Sequence, residues 1–403
     1  MGFMGKGRDA TDTIIGYYYQ FDYTILQLLE LQNEDDAVTI EGIEDVDIQT
    51  TDSMEAVQCK YYAKTEYNHS VIAAPIRLML RDYVAKTAKM DGLRYKLYGH
   101  YKTGHEKYPD KLTVEFAKKH LFTYTEKGKR HLLYDELNLS DSEIEKFLDR
   151  LDIDIHAEEF EEQEQKIKQK ISGIFQCDMF EAEFYFYNNA LRVVRKIATY
   201  QDIKNRTVTK KWFLKEINQK KILFDKWYIK LKGEQSYNKS IKKKYFTKNN
   251  ISPYERFFLV ECDNLVTDIE LKELVINISN KWSRLSFREK SPFCPYFYFS
   301  GLTERRLLNI KTMLHDEGIG IWDGHSYLNA KFCAVDIIRE ANYYNGVKAK
   351  IINSKENLQE ILENIHKVVE IYIFYLEKSF YENEKRTCFG IQIPSTNSVK
   401  MMI

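Results

Sequence analysis

Two stretches that alternate with period two constrain this chain most. They are "AVTIEGIEDVDIQ", residues 37–49, and "MEAVQCKYY", residues 54–62, separated by the turn-like "TTDS". Successive strand side chains point to opposite sides, so each stretch has an apolar face and a polar one. Val46 and Ile48 lie opposite Asp45 and Asp47, and Val57 and Cys59 lie opposite Gln58 and Lys60. Paired as a hairpin with the apolar sides inward, the two stretches bring two carboxylates, an amide and an ammonium together. Glu41 reaches the same end of the sheet. A slip of one residue in register would turn these polar groups inward.

A helix is predicted before this hairpin, in "TIIGYYYQFDYTILQLLELQ", with Thr11 or Asp12 as its cap. A second helix follows in "SVIAAPIRLMLRDYVAKTAK", interrupted near its start by Pro75, and "RYKLYGHYK" returns as a strand. That order gives an α/β core, a mixed sheet flanked by helices. Helical segments then dominate. One is "LSDSEIEKFLDRLDI", capped by Ser140 or Ser142, with Glu145 three residues after Ser142 as in a capping box. "KGEQSYNKSIKKKYFTKNNISP" is polar, basic and turn-rich, the pattern of a linker. Beyond it "RFFLVEC", "PYFYFSG", "GIGIWD" and "VKAKIIN" read as strands between helices. The expected organisation is a core over 1–130, a helical extension over 131–220, a basic linker over 221–250 and a second α/β domain over 251–403.

A chain of 403 residues has room for two or three such domains. Sixty basic residues balance sixty acidic ones, so net charge points to neither nucleic acid nor an anionic membrane, while leaving room for a local basic groove. No apolar run reaches transmembrane length, and "MGFMGKGRDATD" has no secretory pattern, so no membrane association is expected. Six cysteines stand singly, which suits a reduced, cytoplasmic setting without a structural zinc site.

Carboxylates with few competing cations suit Mg²⁺, which keeps several waters and bridges to phosphate oxygens. A lysine alongside can orient water or stabilise developing charge. The same alternation also describes a solvated sheet face whose ion pairs contribute little. The wider order resembles the PD-(D/E)xK nuclease superfamily in its QxK form, as in Mrr-like restriction enzymes. The N-terminal half is similar to the effector double-stranded DNA endonuclease domain of bacterial anti-phage systems, found in CBASS and Lamassu effectors and beside HerA-type ATPases. The residues that carry the resemblance are "GYYYQFDYTILQLLE", "VTIEGIEDVDI" and "AVQCKYY". The later "LSDSEIEKFLDRLDI" and "NNALRVVRKIATYQDIKNRTVTKKWF" look like the family's helical extension, so the likeness covers roughly 10–218.

The resemblance implies a restriction-endonuclease-like fold, Mg²⁺ (or Mn²⁺) as cofactor and double-stranded DNA as substrate. It makes Asp45 the main metal carboxylate and Lys60 the catalytic lysine, with Gln58 standing where many relatives have an acid. A glutamine offers only a neutral oxygen, so a further carboxylate is needed, from Glu41 or from Asp47. The choice between Asp45 and Asp47 stays open. Gln20 matches the helix glutamine of the family motif and supports the site or a helix-to-sheet hydrogen bond.

No recognition helix or zinc finger is visible, and an unselective nuclease needs restraint, so residues 251–403 are the expected control point. They bind a defence ATPase, SMC-like or HerA-type, with activation through homo-oligomerisation, or they sense a cyclic nucleotide. At about 150 residues the region is short for the paired Rossmann-like sensor of CBASS effectors, which favours the partner. No phosphate-loop motif is present, so ATP hydrolysis belongs to that partner. A non-catalytic scaffold that keeps a nuclease-like fold is the alternative from another class.

Several lesser signals remain. Tyr17, Tyr18 and Tyr19 read as packing or base stacking. Lys210, Lys211, Lys220 and Lys221 are basic pairs, and Lys242, Lys243 and Lys244, in a linker-like loop, are the best DNA-contact candidates. "NAKFCAVD", residues 329–336, imitates a phospholipase-D element with Asn329 in place of its histidine, a chance likeness on a strand. His100, His315 and His325 lack metal-ligand spacing.

Overall fold

The computed structural model describes residues 10–86, 92–247, 254–327 and 330–403, which form two compact units divided between Gln219 and Lys220. Both units are α/β. No described helix is long and apolar enough to cross a membrane, and all six cysteines are free.

The first unit opens with α1 (Ala10–Glu30), so Thr11 and Asp12 lie in its first turn and are not its cap. The chain then forms β1 (Ala37–Ile40), β2 (Val46–Gln49) and β3 (Met54–Glu66), the helix α2 (His69–Lys86) and β4 (Leu93–Thr103). The alternating stretch 37–49 is therefore not one strand. A bend over residues 41–45 splits it into β1 and β2, which pair antiparallel as Thr39↔Asp47 and Ile40↔Val46. The expected antiparallel pairing of β2 with β3 is present, with Val46↔Val57 and Asp47↔Ala56.

Next come α3 (Val114–His120), a small hairpin of β5 (Thr123–Glu126) and β6 (Lys129–Leu132), α4 (Leu133–Glu136) and α5 (Asp141–Leu148). The capping box of α5 uses Ser140 and Glu143, not Ser142 and Glu145. They lead to β7 (Leu151–Asp154), α6 (Phe160–Phe175), α7 (Met179–Glu181), a π-helical turn over Ala182–Tyr187, α8 (Asn188–Ala198), β8 (Thr207–Thr209) and α9 (Lys210–Ile217). Among the described residues the main sheet runs β7-β4-β3-β2-β1-β8, with β3, β4 and β7 parallel and the other pairs antiparallel. The segment expected as a helical extension thus supplies both edge strands of the core sheet.

Apolar side chains fill both sheet faces. Tyr19, Tyr23, Val57, Cys59, Ile167 and Val194 share one core, and Ala56, Ile76, Leu80, Tyr95, Leu97 and Phe147 share the other. Tyr19 is fully buried, stacks near Tyr98 and donates through its hydroxyl to the Glu158 carbonyl at 2.8 Å. Tyr17 and Tyr18 are exposed.

The second unit starts where a linker was expected. Residues 220–245 form α10 (Lys220–Lys232) and α11 (Glu234–Tyr245), separated by Gly233 at φ 82°. Tyr237 and Ile241, four residues apart, are buried, and the Tyr237 hydroxyl donates to the Gln392 carbonyl at 3.0 Å. Lys242, Lys243 and Lys244 are consequently the last turn of a helix and not a loop.

The six strands of this unit's sheet are β9 (Glu255–Glu261), β10 (Tyr296–Ser300), β11 (Gly320–Trp322), β12 (Val347–Ile352), β13 (Val369–Tyr375) and β14 (Thr387–Gln392). All pairs are parallel, in the order β11-β12-β10-β9-β13-β14, a doubly wound arrangement that buries both faces of its central strands. The flanking helices include α12 (Asp268–Trp282), α13 (Glu304–Asp316), α14 (Ala334–Ile338), α15 (Lys355–Asn364) and α16 (Ser398–Met402). Asn329 lies outside the described residues, and the end of "NAKFCAVD" enters helix α14 and no strand.

Candidate active site

The bend between β1 and β2 builds the site. Its ends are tied by the Glu41 amide, which donates to the Asp45 carbonyl at 2.9 Å. Glu41 takes a left-handed conformation, φ 53°, uncommon for a residue with a side chain and often found where function demands it. The Asp47 carboxylate folds back over the bend and accepts the amides of Ile43 at 2.6 Å and Glu44 at 3.2 Å. Gly42 makes room for it: a Cβ there would stand 2.1 Å from Asp47 Oδ2. Asp47 is thereby occupied with holding the loop.

Asp45 comes off the end of that loop, just before β2. Its Oδ2 accepts from Gln20 Nε2 on α1 at 2.7 Å, from the Cys59 amide of β3 at 2.9 Å and from Gln58 Nε2. The pairing Val46↔Val57 places residue 45 beside 58, which is why strand register delivers both β3 donors. No donor addresses Oδ1 among the described residues. Ala56, Gln58 and Lys60 share one strand face by the two-residue period, so the half-buried Lys60 follows Gln58 toward the same end of the sheet.

Electrostatics bind the group together. Burial raises Asp45's proton affinity above the ordinary carboxylate range, and Lys60 with the three donors works against the rise. Burial and then Asp45 raise Glu41, offset by Arg206 and Lys60. Glu44, which sequence reasoning passed over, is pushed up to about 7, by burial first and then by Asp45, Asp47 and Asp82. Asp47 is pushed up to about 6 by burial, against the pull of its two amide donors. Lys60 is thus the cation common to Glu41, Glu44 and Asp45, and among the described residues it is locked into no ion pair.

Of the residues singled out in the sequence, Asp45, Gln58 and Gln20 touch directly, and Glu41 and Lys60 are their charged neighbours. Asp47 does not converge with Asp45. Two-residue alternation applies only within a strand, and Asp45 belongs to the bend. Lys242, Lys243 and Lys244 belong to the second unit. Arg206 carried no sequence signal, because the β1–β8 pairing that brings it near Glu41 joins residues far apart in the chain.

Among the described residues no three His, Cys, Asp or Glu side chains gather into a metal-holding cluster. The donor set is one oriented carboxylate, Asp45, with Glu41 beside it. That set fits a hydrated hard cation, which takes one or two carboxylates and keeps its waters, and does not fit an all-protein cage.

Fold and site together define a two-unit α/β protein with an acid–amide–lysine centre on its first sheet. No model of a known family and no curated protein matches the chain. Among solved structures it is similar to the Acinetobacter baumannii Cap4 SAVED/CARF-domain containing receptor with the cyclic trinucleotide 2′3′3′-cAAA. That match has 8% identity and a TM-score of 0.33, and covers 99% of this chain and 93% of that one. The same receptor with 3′3′3′-cAAA matches at 9% identity and a TM-score of 0.32, over the same shares of both chains.

Proposed function

We propose that the first unit is a metal-dependent endonuclease of double-stranded DNA, the effector of a bacterial anti-phage defence system. What supports the reading is the Asp45 carboxylate, held on one oxygen by Gln20, Gln58 and the Cys59 amide, with Lys60 as its neighbouring cation. Mg²⁺ or Mn²⁺ at Asp45 and Glu41, when bound, supplies an activated water and offsets charge on the phosphoryl group. Gln20 and Gln58 fix the carboxylate's orientation. Lys60 orients the attacking water or lies against the charge that develops on the phosphoryl oxygens.

Activity without sequence selection needs restraint, and the proposal assigns that restraint to the second unit, relieved by a partner ATPase and by oligomerisation. A second version, gating by a nucleotide signal, is favoured by one observation. An open cleft of about 750 Å³ includes Asp323 and Asn353, which follow β11 and β12 at the carboxyl edge of the parallel sheet. Doubly wound sheets bind ligands along that edge. Lys311 already bridges Asp323 at 2.7 Å and Asn353 at 2.6 Å there.

Phage challenge of bacteria expressing the intact system tests the proposal. Lys60→Ala abolishes protection and toxicity while the protein accumulates normally. Unchanged protection would select a non-catalytic scaffold instead.

A further inference from the structure

A second cleft lies in the first unit, with a volume of about 390 Å³, within the range of small-ligand pockets. Helix α8 forms one wall, the 3₁₀ turn Ile203–Arg206 and β8 form another, and α9 closes it. Its floor is apolar, from Val193, Ile197 and Val208, all in the core. Two rings stand at its rim partly in solvent, Tyr200 at 38% and Trp212 at 41% exposure. Three cations line it: Arg192 and Lys196, one turn apart on α8, and Lys204 on the turn opposite. None of the three has an ion-pair partner among the described residues, and Glu216 is the only carboxylate in the lining.

The cleft is joined to the acid site through the sheet. Strand β8 pairs with β1 as Thr39↔Thr207 and Val38↔Val208, and the Thr39 and Thr207 hydroxyls meet at 2.7 Å. Glu41 follows Thr39 by two residues, and Arg206 precedes Thr207. Burial and Asp45 raise Glu41's carboxyl, Arg206 and Lys60 work against the rise, and the buried Arg206 Nε has no hydrogen-bond partner among the described residues.

Unpaired cations around an apolar floor with half-exposed rings match one ligand chemistry, a phosphate-linked aromatic base. Guanidinium and ammonium groups take the phosphates, and the rings take the base face. A stacked duplex keeps its base faces covered, so ring contact requires an unpaired nucleotide. We propose that this cleft is a subsite for an unpaired nucleotide of a nucleic-acid strand, with the base against Trp212 or Tyr200 and the flanking phosphates on Arg192, Lys196 and Lys204. The inference rests on the nuclease reading for the strand's onward path to Asp45, not for the binding itself.

Fluorescence anisotropy of the full chain in EDTA, where cutting is suppressed, reads the binding alone. The probes are fluorescein-labelled oligothymidylate, oligouridylate and a blunt duplex of equal length. The wild type binds one or both single strands more tightly than the duplex. Trp212→Ala weakens single-strand binding roughly tenfold and Trp212→Tyr restores it. Lys196→Glu with Lys204→Glu weakens it further, and neutral replacements lower the salt slope by about 0.7 per cation removed. Thermal melts of each variant confirm folding. No single-strand preference in the wild type, or binding that ignores both the ring and the charge variants, overturns the subsite. Equal competition by polyglutamate also overturns it, in favour of an acidic polypeptide. Plasmid cutting in Mg²⁺ separates the two readings. Cutting with an unresponsive cleft leaves the nuclease standing alone, and a responsive cleft without Asp45-dependent cutting leaves the subsite standing alone.

Discussion

Gln20 of α1 donates a 2.7 Å hydrogen bond to Asp45 Oδ2, tying the first helix to the carboxylate at the start of β2. The bond spans 25 residues of sequence and gives the helix a role beyond packing. Hydrogen bonds to charged groups contribute about 1.5–3 kcal/mol. Gln20→Leu therefore lowers the melting temperature by several degrees and, by freeing the Asp45 carboxylate to turn, lowers the cleavage rate by roughly tenfold or more in the variant that stays folded. Single-turnover cleavage beside a thermal melt checks this.

Asp45 and Asp47 look alike in the sequence and differ in the fold. Asp47→Asn keeps an oxygen for one of the bend amides and retains cleavage within about tenfold of wild type, whereas Asp45→Asn removes it by at least a hundredfold. Both variants are compared at saturating Mg²⁺. Equal losses would mean that both carboxylates act on the substrate.

Gly42 and Asp47 form a steric pair. Gly42→Ala forces the Asp47 carboxylate off the bend and destabilises the first unit by about 1–3 kcal/mol. Asp47→Ala alone strands the amides of Ile43 and Glu44. The double variant loses less than the sum of the two, a non-additivity that denaturant unfolding measures directly.

That loop also marks where the sequence stops being legible. The order of α1, β3, α2 and β4, the antiparallel β2–β3 hairpin and the shared face of Gln58 and Lys60 follow from local periodicity, whereas Asp45 joins them from the bend, at the register position beside Gln58. The break at 41–45 does not, because Val38, Ile40, Val46 and Ile48 keep one parity on both sides of it, so the alternation reads straight through the bend. Helix α11 hides in a polar segment whose buried face is little more than Tyr237 and Ile241. Strand β13 begins at Val369, the last residue of "SKENLQEILENIHKVV", whose helix-like pattern carries on past the end of α15 at Asn364. Edge strands β7 and β8 are set by pairings more than fifty residues from their partners, and propensity carries no such information.

Asp22 offers a pH test away from the metal ligands. It is fully buried, accepts from the Tyr187 hydroxyl at 2.8 Å, and leaves Oδ2 without a hydrogen-bond partner among the described residues. Burial pushes it up from the ordinary 3.8 to about 7. The folded state then holds a proton that the unfolded state releases, so stability falls as pH rises from about 4 to about 7. Asp22→Asn removes the buried charge. Its melting temperature exceeds that of the wild type at pH 8 by a few degrees, about 2–4 °C per kcal/mol, and the gain shrinks toward pH 4. Calorimetry across that range reads the difference, and a constant offset at every pH would refute the assignment.

Plasmid cleavage by the purified chain in Mg²⁺, with wild type, Lys60→Ala and an EDTA control side by side, repeated with the proposed defence ATPase present, tests the nuclease reading most directly. The expected result is cutting by wild type under at least one of the two conditions, lost both in EDTA and in the folded Lys60→Ala variant. Cutting that survives Lys60→Ala, or a wild type that stays silent under both conditions, would contradict it.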